Sequence, residues 1–419
     1  MNKTKFMLTG IALSVVVGLS ACGGGTSTSG LNNGNNSTTT GPITAFGSVI
    51  VNGVEYNTSN AKITIDGNNV SEASLRVGMM VSVKKSSNDT ASSVSAGDEV
   101  EGIVISAPGT MTGEFNIMGQ LVTVDENTAF ESYVPGIKDV SMIKKDNVVE
   151  AHGYSDGMGN VMATRIEVKA AAYTPGDELE VKGMIKNHNG TDSFDIGQLT
   201  ITYSTKTDLS GFPNGIQDGL YVEAKSYQAL DSSNQLVASK VEQESKNQDS
   251  NEDDEYEVKD LISDITDTSI TVANVTFILD STTEFTGTDD LTLFKVGTLV
   301  EVEGYYNSNK ELVAKKVEYE DSNSGMAKMT TLGTVKSVNA PQANTGSITL
   351  TDGTTDTVIS VDNNTLMKDS SDIKDPAFNL QAIVVDDYLE IKSKVNNDGS
   401  FTALKVVREN APKKPAVMQ

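Results

Sequence analysis

A four-residue strand pattern recurs five times along this chain, and it constrains the fold more than any other feature. It reads Val81-Ser82-Val83-Lys84, Val149-Glu150-Ala151-His152, Val222-Glu223-Ala224-Lys225, Val300-Glu301-Val302-Glu303 and Leu389-Glu390-Ile391-Lys392. Apolar and polar residues alternate in every copy, as in a strand with one face in a core, so Val83, Ala151, Ala224, Val302 and Ile391 are the expected buried residues. A turn rich in Asn, Asp, Ser and Gly follows, and then a second strand marked by Ala91, Ala163, Ala238, Ala314 and Ala403. Those alanines stand 72 to 89 residues apart, which is the period of whole domains rather than of a solenoid turn.

An opening strand precedes each pair, with glycine in or beside it at Phe46-Gly47, Glu101-Gly102, Lys182-Gly183 and Leu332-Gly333, and Lys259-Asp260 as the exception. Glycine inside a strand marks a bulge or sharp bend of the kind small barrels need at their corners. Val/Ile/Thr-rich pieces such as Leu199-Thr200-Ile201-Thr202 and Ser269-Ile270-Thr271-Val272 fill the interval, giving about five strands per unit. Closing the sheet removes edges that would otherwise pair with other chains, so each unit is expected to be a small closed or nearly closed antiparallel barrel, with an open sandwich half as the competing shape. Helix signals reduce to single turns near Asp139 to Lys145 and Asp375 to Ala382. The fold class is all-β, a tandem array of about five units: 41–97, 98–170, 177–245, 255–320 and 328–409, followed by a tail at 410–419.

The N-terminus carries an address. Lys3 and Lys5 precede the apolar run Phe6 to Leu19, and Leu19-Ser20-Ala21-Cys22 closes it with small residues, so 1–21 reads as a signal peptide. The run's fourteen residues at ~1.5 Å rise reach only about 21 Å, short of a ~30 Å hydrocarbon core. Cys22 is the single cysteine, so no intramolecular disulfide staples the units. Residues 22–40, rich in Gly, Ser, Thr and Asn, are expected to act as a flexible leash with a reach of roughly 25 Å.

Two resemblances follow from these residues. Leu19-Ser20-Ala21-Cys22 resembles the lipobox of bacterial lipoproteins, which implies a lipidated Cys22, cleavage before it and an acylated new N-terminus; Gly23 behind the cysteine resembles an outer-membrane sorting context. Several acyl chains would anchor the protein stably where one would not. The stretch Gly41-Pro42-Ile43-Thr44-Ala45-Phe46-Gly47-Ser48-Val49-Ile50-Val51-Asn52-Gly53-Val54, with Leu75-Arg76-Val77-Gly78-Met79-Met80-Val81 and its echo Phe294-Lys295-Val296-Gly297-Thr298-Leu299-Val300, resembles the bacterial repeat family called domain of unknown function 5666. That resemblance spans 41–409 and implies small OB-like β-barrels, with no established activity to carry over. The second copy departs from it, since Lys144-Lys145-Asp146-Asn147 lacks the Val-Gly pair.

The formal charge of −25 argues against nucleic-acid partners, because such binding is driven by cationic groups releasing counterions. His-based chemistry has only His152 and His188 to draw on. His152 falls at a repeat position otherwise held by Lys84, Lys225, Glu303 and Lys392, which reads as an outward-facing surface slot; His188 falls in an Asn-Gly turn. The oxygen-rich turns Asp66-Gly67-Asn68-Asn69, Asn88-Asp89, Asp156-Gly157 and Asn396-Asn397-Asp398-Gly399 have atoms a calcium ion could use but not the twelve-residue loop spacing. Glu252-Asp253-Asp254-Glu255, extended by Glu257, reads as a solvated acidic linker. Met326-Ala327-Lys328-Met329 reads as packing, and the Ser-x-x-Lys matches at Ser82 and Ser371 lack the companion motifs of acyl enzymes. Tyr154, Tyr227 and Tyr305 recur at one repeat position and could together offer a stacking platform for sugar rings.

The sequence therefore leads to a non-enzymatic, lipid-anchored envelope protein that acts as a structural or interaction module spanning distance or multiplying weak contacts. No cofactor, metal site or catalytic residue is assigned. The membrane is engaged through Cys22, and the alternative is a calcium- or glycan-binding protein.

Overall fold

The structure is a computed structural model that describes residues 36–411 apart from 47, 88–89, 111, 126, 213, 245–250, 321–327, 352 and 396–399. Cys22, the signal peptide, most of the leash, the Asn88-Asp89 and Asn396–Gly399 turns and Met326 lie outside the described residues. The described chain is all-β, and the alternating strands close exactly the way their patterning demands only if each unit wraps into a barrel.

Unit 5 illustrates the wiring. Its strands are Lys328–Asn339, Gly346–Thr351, Asp356–Val361, Tyr388–Val395 and Phe401–Glu409. The first pairs antiparallel with the second and the fourth, the second with the third, and the fourth with the fifth, while the third meets the fifth in parallel at Ile359↔Phe401. The order 1-2-3-5-4-1 closes a five-stranded barrel of OB type. Units 2 and 4 repeat the same pairings. Unit 1 closes through the parallel bridge Asn57↔Thr90, and unit 3 through Lys186↔Asp195 and the short strand Leu236–Val237 beside Leu199–Thr202. The open sandwich half is thereby excluded.

The expected buried set is found: Val83, Ala151, Ala224, Val302 and Ile391 have no solvent exposure, and the five marker alanines are buried too. A bulge recurs in the fourth strand one residue beyond them, at Lys84/Lys85, His152/Gly153, Glu303/Gly304 and Lys392/Ser393. In the opening strands the bulge lies at Ile43/Ala45, Val104/Ser106, Ile262/Asp264 and Val335/Ser337. Two residues before each stand Gly41, Gly102, Asp260 and Gly333, so the first-unit counterpart is Gly41 and not Gly47. These glycines serve close approach rather than the bulge itself: a Cβ on Gly333 would come within 2.7 Å of Thr351 O, and one on Gly102 within 2.4 Å of Met118. The single helical turns are 3-10 turns at Val140–Met142 and Leu380–Ala382, capped by the side chains of Asp139 and Asn379.

The units are not beads on a string. The opening strand of unit 1 begins at Ser37, inside the stretch the sequence assigns to the leash, because Ser37–Thr40 find partners on both sides. They pair in parallel with Glu255–Val258 of unit 4 and antiparallel with Ser82–Lys85. The opening strands of units 2 and 3 meet antiparallel at Glu101↔Glu180 and Val100↔Val181, and the apolar interiors of these units form one cluster. Unit 5 packs on unit 1 with Ala45 and Ile50 in its core, and Asn363 Nδ2 donates to Gly53 O at 2.8 Å. The sequence does not say how the units sit against one another; in the structure the barrels gather around unit 1.

Candidate functional site

Where units 1, 2 and 3 meet, the outward faces of their strands carry charges two residues apart, and the neighbouring barrel covers those charges. Glu180 and Lys182 alternate with Leu179 and Val181 in the opening strand of unit 3, and Glu223 and Lys225 with Val222 and Ala224 in its fourth strand. Lys182 Nζ lies 2.6 Å from Glu180 Oε1, 3.2 Å from Glu223 Oε1 and 3.3 Å from Asp98 Oδ1. Lys225 Nζ lies 2.5 Å from Glu180 Oε2, 3.0 Å from Glu178 Oε1 and 3.4 Å from Glu223 Oε2. Each lysine is thus held by three carboxylates, and Glu180 by both lysines.

Next to this knot lies a second one. Glu150 Oε2 meets Lys169 Nζ at 2.5 Å, and Glu150 Oε1 meets His152 Nε2 at 2.6 Å. His152 Nδ1 lies 3.0 Å from Gly97 O, which can only accept, so Nδ1 carries a proton. Nε2 faces the Glu150 carboxylate at ion-pair distance, and that carboxylate favours a proton on the ring. The His152 pKa moves accordingly: burial opposes the charge, and Glu150 outweighs it and raises the pKa. His152 has no solvent exposure, which overturns its reading as a surface slot. The slot does face outward from its own barrel, but the outside of that barrel is the inside of the assembly.

Acids outnumber bases in the seam, and their pKa values divide. Burial would raise Glu150, but His152 and Lys169 bring it down to about 2; Glu180 also falls well below the carboxylate range despite burial, chiefly through Lys182. Burial pushes Glu101 up to about 7 against the pull of Lys169, and burial with the Glu180 hydrogen bond pushes Glu223 up to about 7. Asp98, fully enclosed, rises well above its usual value through burial and the nearby Glu180. At the joint between units 1 and 4, Glu257 is raised to about 8 by burial and by Glu301. Glu257 has no solvent exposure, so it is not part of a solvated acidic linker. Its place is the paired strand Glu255–Ile265.

The seam opens into a cleft of about 780 Å³ walled by units 1, 3 and 4, with Asp98 and Glu99 at the start of unit 2. Among the described residues that line it, ten are carboxylates, five are lysines and four are tyrosines, so it favours cations and hydroxylated groups over anions. Tyr221 OH lies 3.2 Å from Glu99, and Tyr227 OH 2.6 Å from Glu178.

Among the described residues three groups of side chains have metal-compatible spacing: Asp66, Asp98 and Glu180; Glu150, His152 and Glu167; and Asp98, Glu101 and Glu150. In each a cationic side chain already stands among the carboxylates: Lys182 in the first, Lys169 and Arg165 in the second, and Lys169 in the third. Of the oxygen-rich turns, Asp66-Gly67 supplies a carboxylate to the seam, and Asp156 is used up by the amides of Met158 (2.7 Å) and Asn160 (3.1 Å). His188 stays a turn residue, with Nε2 2.6 Å from Tyr203 OH. Ser371 Oγ donates to Asp369 Oδ1 at 2.6 Å.

The recurrent tyrosines do not converge. Tyr227 reaches the cleft; Tyr154 and Tyr305 do not line it, and Tyr154 instead lies against unit 4 beside Lys259 and Asp260. The cleft instead gathers Tyr221, Tyr256 and Tyr306 from other repeat positions. The sequence does not mark Glu180, Lys182, Glu223 and Lys225 as a site. Their alternation marks one outer face, but nothing in the local pattern says that another barrel covers it.

A family model described as domain of unknown function (DUF5666) matches five times, over residues 40–96, 101–167, 182–242, 261–318 and 333–407. No curated protein matches the chain. A solved structure titled "drosophila Unr CSD456" is similar at 13% identity, over 55% of this chain and 97% of that chain, with a TM-score of 0.14.

Proposed function

The chain belongs to the family described as domain of unknown function 5666, and from that premise we propose a non-enzymatic envelope lipoprotein, anchored in the bacterial outer membrane through Cys22, that serves as an interaction module. The observation that carries this reading is the consumption of opening strands between barrels. Ser37–Thr40 join unit 4, and Val100 and Glu101 join unit 3, so repetition builds one body with a shared cleft rather than a row of separate sites. The anchor rests on Leu19-Ser20-Ala21-Cys22 alone.

Two measurements test it. Cell fractionation should find the wild-type chain in the membrane fraction and the Cys22→Ala variant released from it; retention of that variant would remove the anchor. Incubation of the purified chain with peptidoglycan, polysaccharide and ester panels should give no specific turnover, and turnover of any one would sink the non-enzymatic reading.

Glycan binding is the second reading, supported by the four tyrosines and surplus carboxylates of the cleft. It predicts a melting temperature that rises with a particular oligosaccharide. Calcium is the weaker half of that alternative, because Lys182 already supplies positive charge to Asp98, Glu180 and Glu223.

A further inference from the structure

The loop that enters the fourth strand is the same device in every unit, and its chemistry changes with what covers it. In unit 1 it reads Leu75-Arg76-Val77-Gly78 and sits on the closing strand of unit 2. Thr164 Oγ1 donates to Gly78 O at 2.6 Å, and Arg165 Nη1 donates to Val77 O at 3.3 Å. The backbone comes so close that a Cβ on Gly78 would lie 2.4 Å from Thr164 O. In units 2 and 3 the place of Val77 is taken by Lys145 and Asp218, both exposed, as suits a bare loop. Unit 4 breaks the rule: Val296 is apolar yet 44% exposed, with Leu291 62% exposed in the turn just before it, and open space surrounds the Cβ position of Gly297.

We infer that the unit 4 loop Phe294-Lys295-Val296-Gly297 docks on a second copy of this chain, as its unit 1 counterpart docks on unit 2. The seat has a recognisable chemistry, a hydroxyl followed by a cation directly after the marker alanine of a closing strand, each donating to a loop carbonyl. Of the five closing strands, Thr164-Arg165 and Ser239-Lys240 have that pair; the others read Ser92-Ser93, Lys315-Lys316 and Leu404-Lys405. Unit 1 fills the first within the chain. Ser239 and Lys240 of unit 3 are only partly covered, so the second copy offers them to the unit 4 loop. Unit 5 also has an exposed apolar loop at Val384 and Val385, but Asp386 stands where close approach demands glycine, so unit 4 is the assigned partner. Reciprocal exchange, loop to seat in both directions, closes a two-fold dimer.

Sedimentation velocity on the full chain carrying Cys22→Ala, which avoids lipid micelles, tests this over a range of concentrations. A concentration-dependent dimer is expected, with self-association at least tenfold weaker in Val296→Asp at unchanged circular dichroism and melting temperature. Val385→Asp should leave the dimer intact. A chain that stays monomeric up to about 100 µM, or a dimer indifferent to Val296→Asp, overturns the inference. So does a dimer lost in Val385→Asp instead.

Discussion

Lys182 shows how a single buried cation can fix a joint. It faces Asp98, Glu180 and Glu223, and burial that would lower its pKa is overridden by those acids, which raise it well above the usual lysine value. Replacing it with Met leaves carboxylates buried and uncompensated, so Lys182→Met is expected to lose about 3–5 kcal/mol in urea denaturation. The same variant should regain stability in millimolar calcium, while the wild type does not respond; a wild-type response would return calcium to consideration. Asp146 makes a different point. The loop position held by Gly78 (φ 87°) and Gly297 (φ 83°) is left-handed, and Asp146 adopts it at φ 71°. The absent Val-Gly pair of unit 2 is thus a change of residue and not of geometry, since Asp tolerates this region better than most side chains. Asp146→Gly should leave the melting temperature within a degree or two of wild type, and Asp146→Val should cost about 1–2 kcal/mol.

At the level of strands, the opening glycines are held by their neighbours. A side chain at Gly333 would meet the backbone at Thr351 and could not be relieved by a rotamer change. Gly333→Ala is expected to cost about 1–3 kcal/mol and to speed hydrogen exchange in Gly346–Thr351 while sparing unit 4; uniform loss across all units would contradict this. Strands are also where the sequence was most readable. Period-two alternation identified the buried face of all five fourth strands, because burial inside a barrel depends only on residues within that strand and its sheet. The same alternation could not tell whether the polar face of a barrel meets water or another barrel. His152 and Glu257 therefore read as surface groups from sequence, and nothing in the pattern marks the seam around Lys182. For a related reason the sequence points to Gly47, whereas the structural counterpart, Gly41, belongs to a strand that starts earlier and is completed by unit 4.

Across the whole molecule, burial of surplus acids sets the response to pH. Glu101, Glu223 and Glu301 titrate near 7 and Glu257 near 8 when folded, each raised first by burial. A raised acid contributes stability that is full below its unfolded value and is lost as pH climbs through the folded one. Glu150, held at about 2, works in the opposite sense and withdraws its contribution only in strong acid. The urea midpoint should therefore fall between about pH 5 and about pH 8, and a flat or rising profile there would show that the seam is hydrated. One last property belongs to the strand Ser37–Phe46, the first of the described elements. It runs between Glu255–Val258 and Met80–Lys85, with its hydrogen bonds lying across its axis. Tension entering from the N-terminal side would pull along that axis and strain the ladders of two barrels together in shear, rather than peeling one bond at a time. The point where force would enter is then also a point where two units grip the same strand.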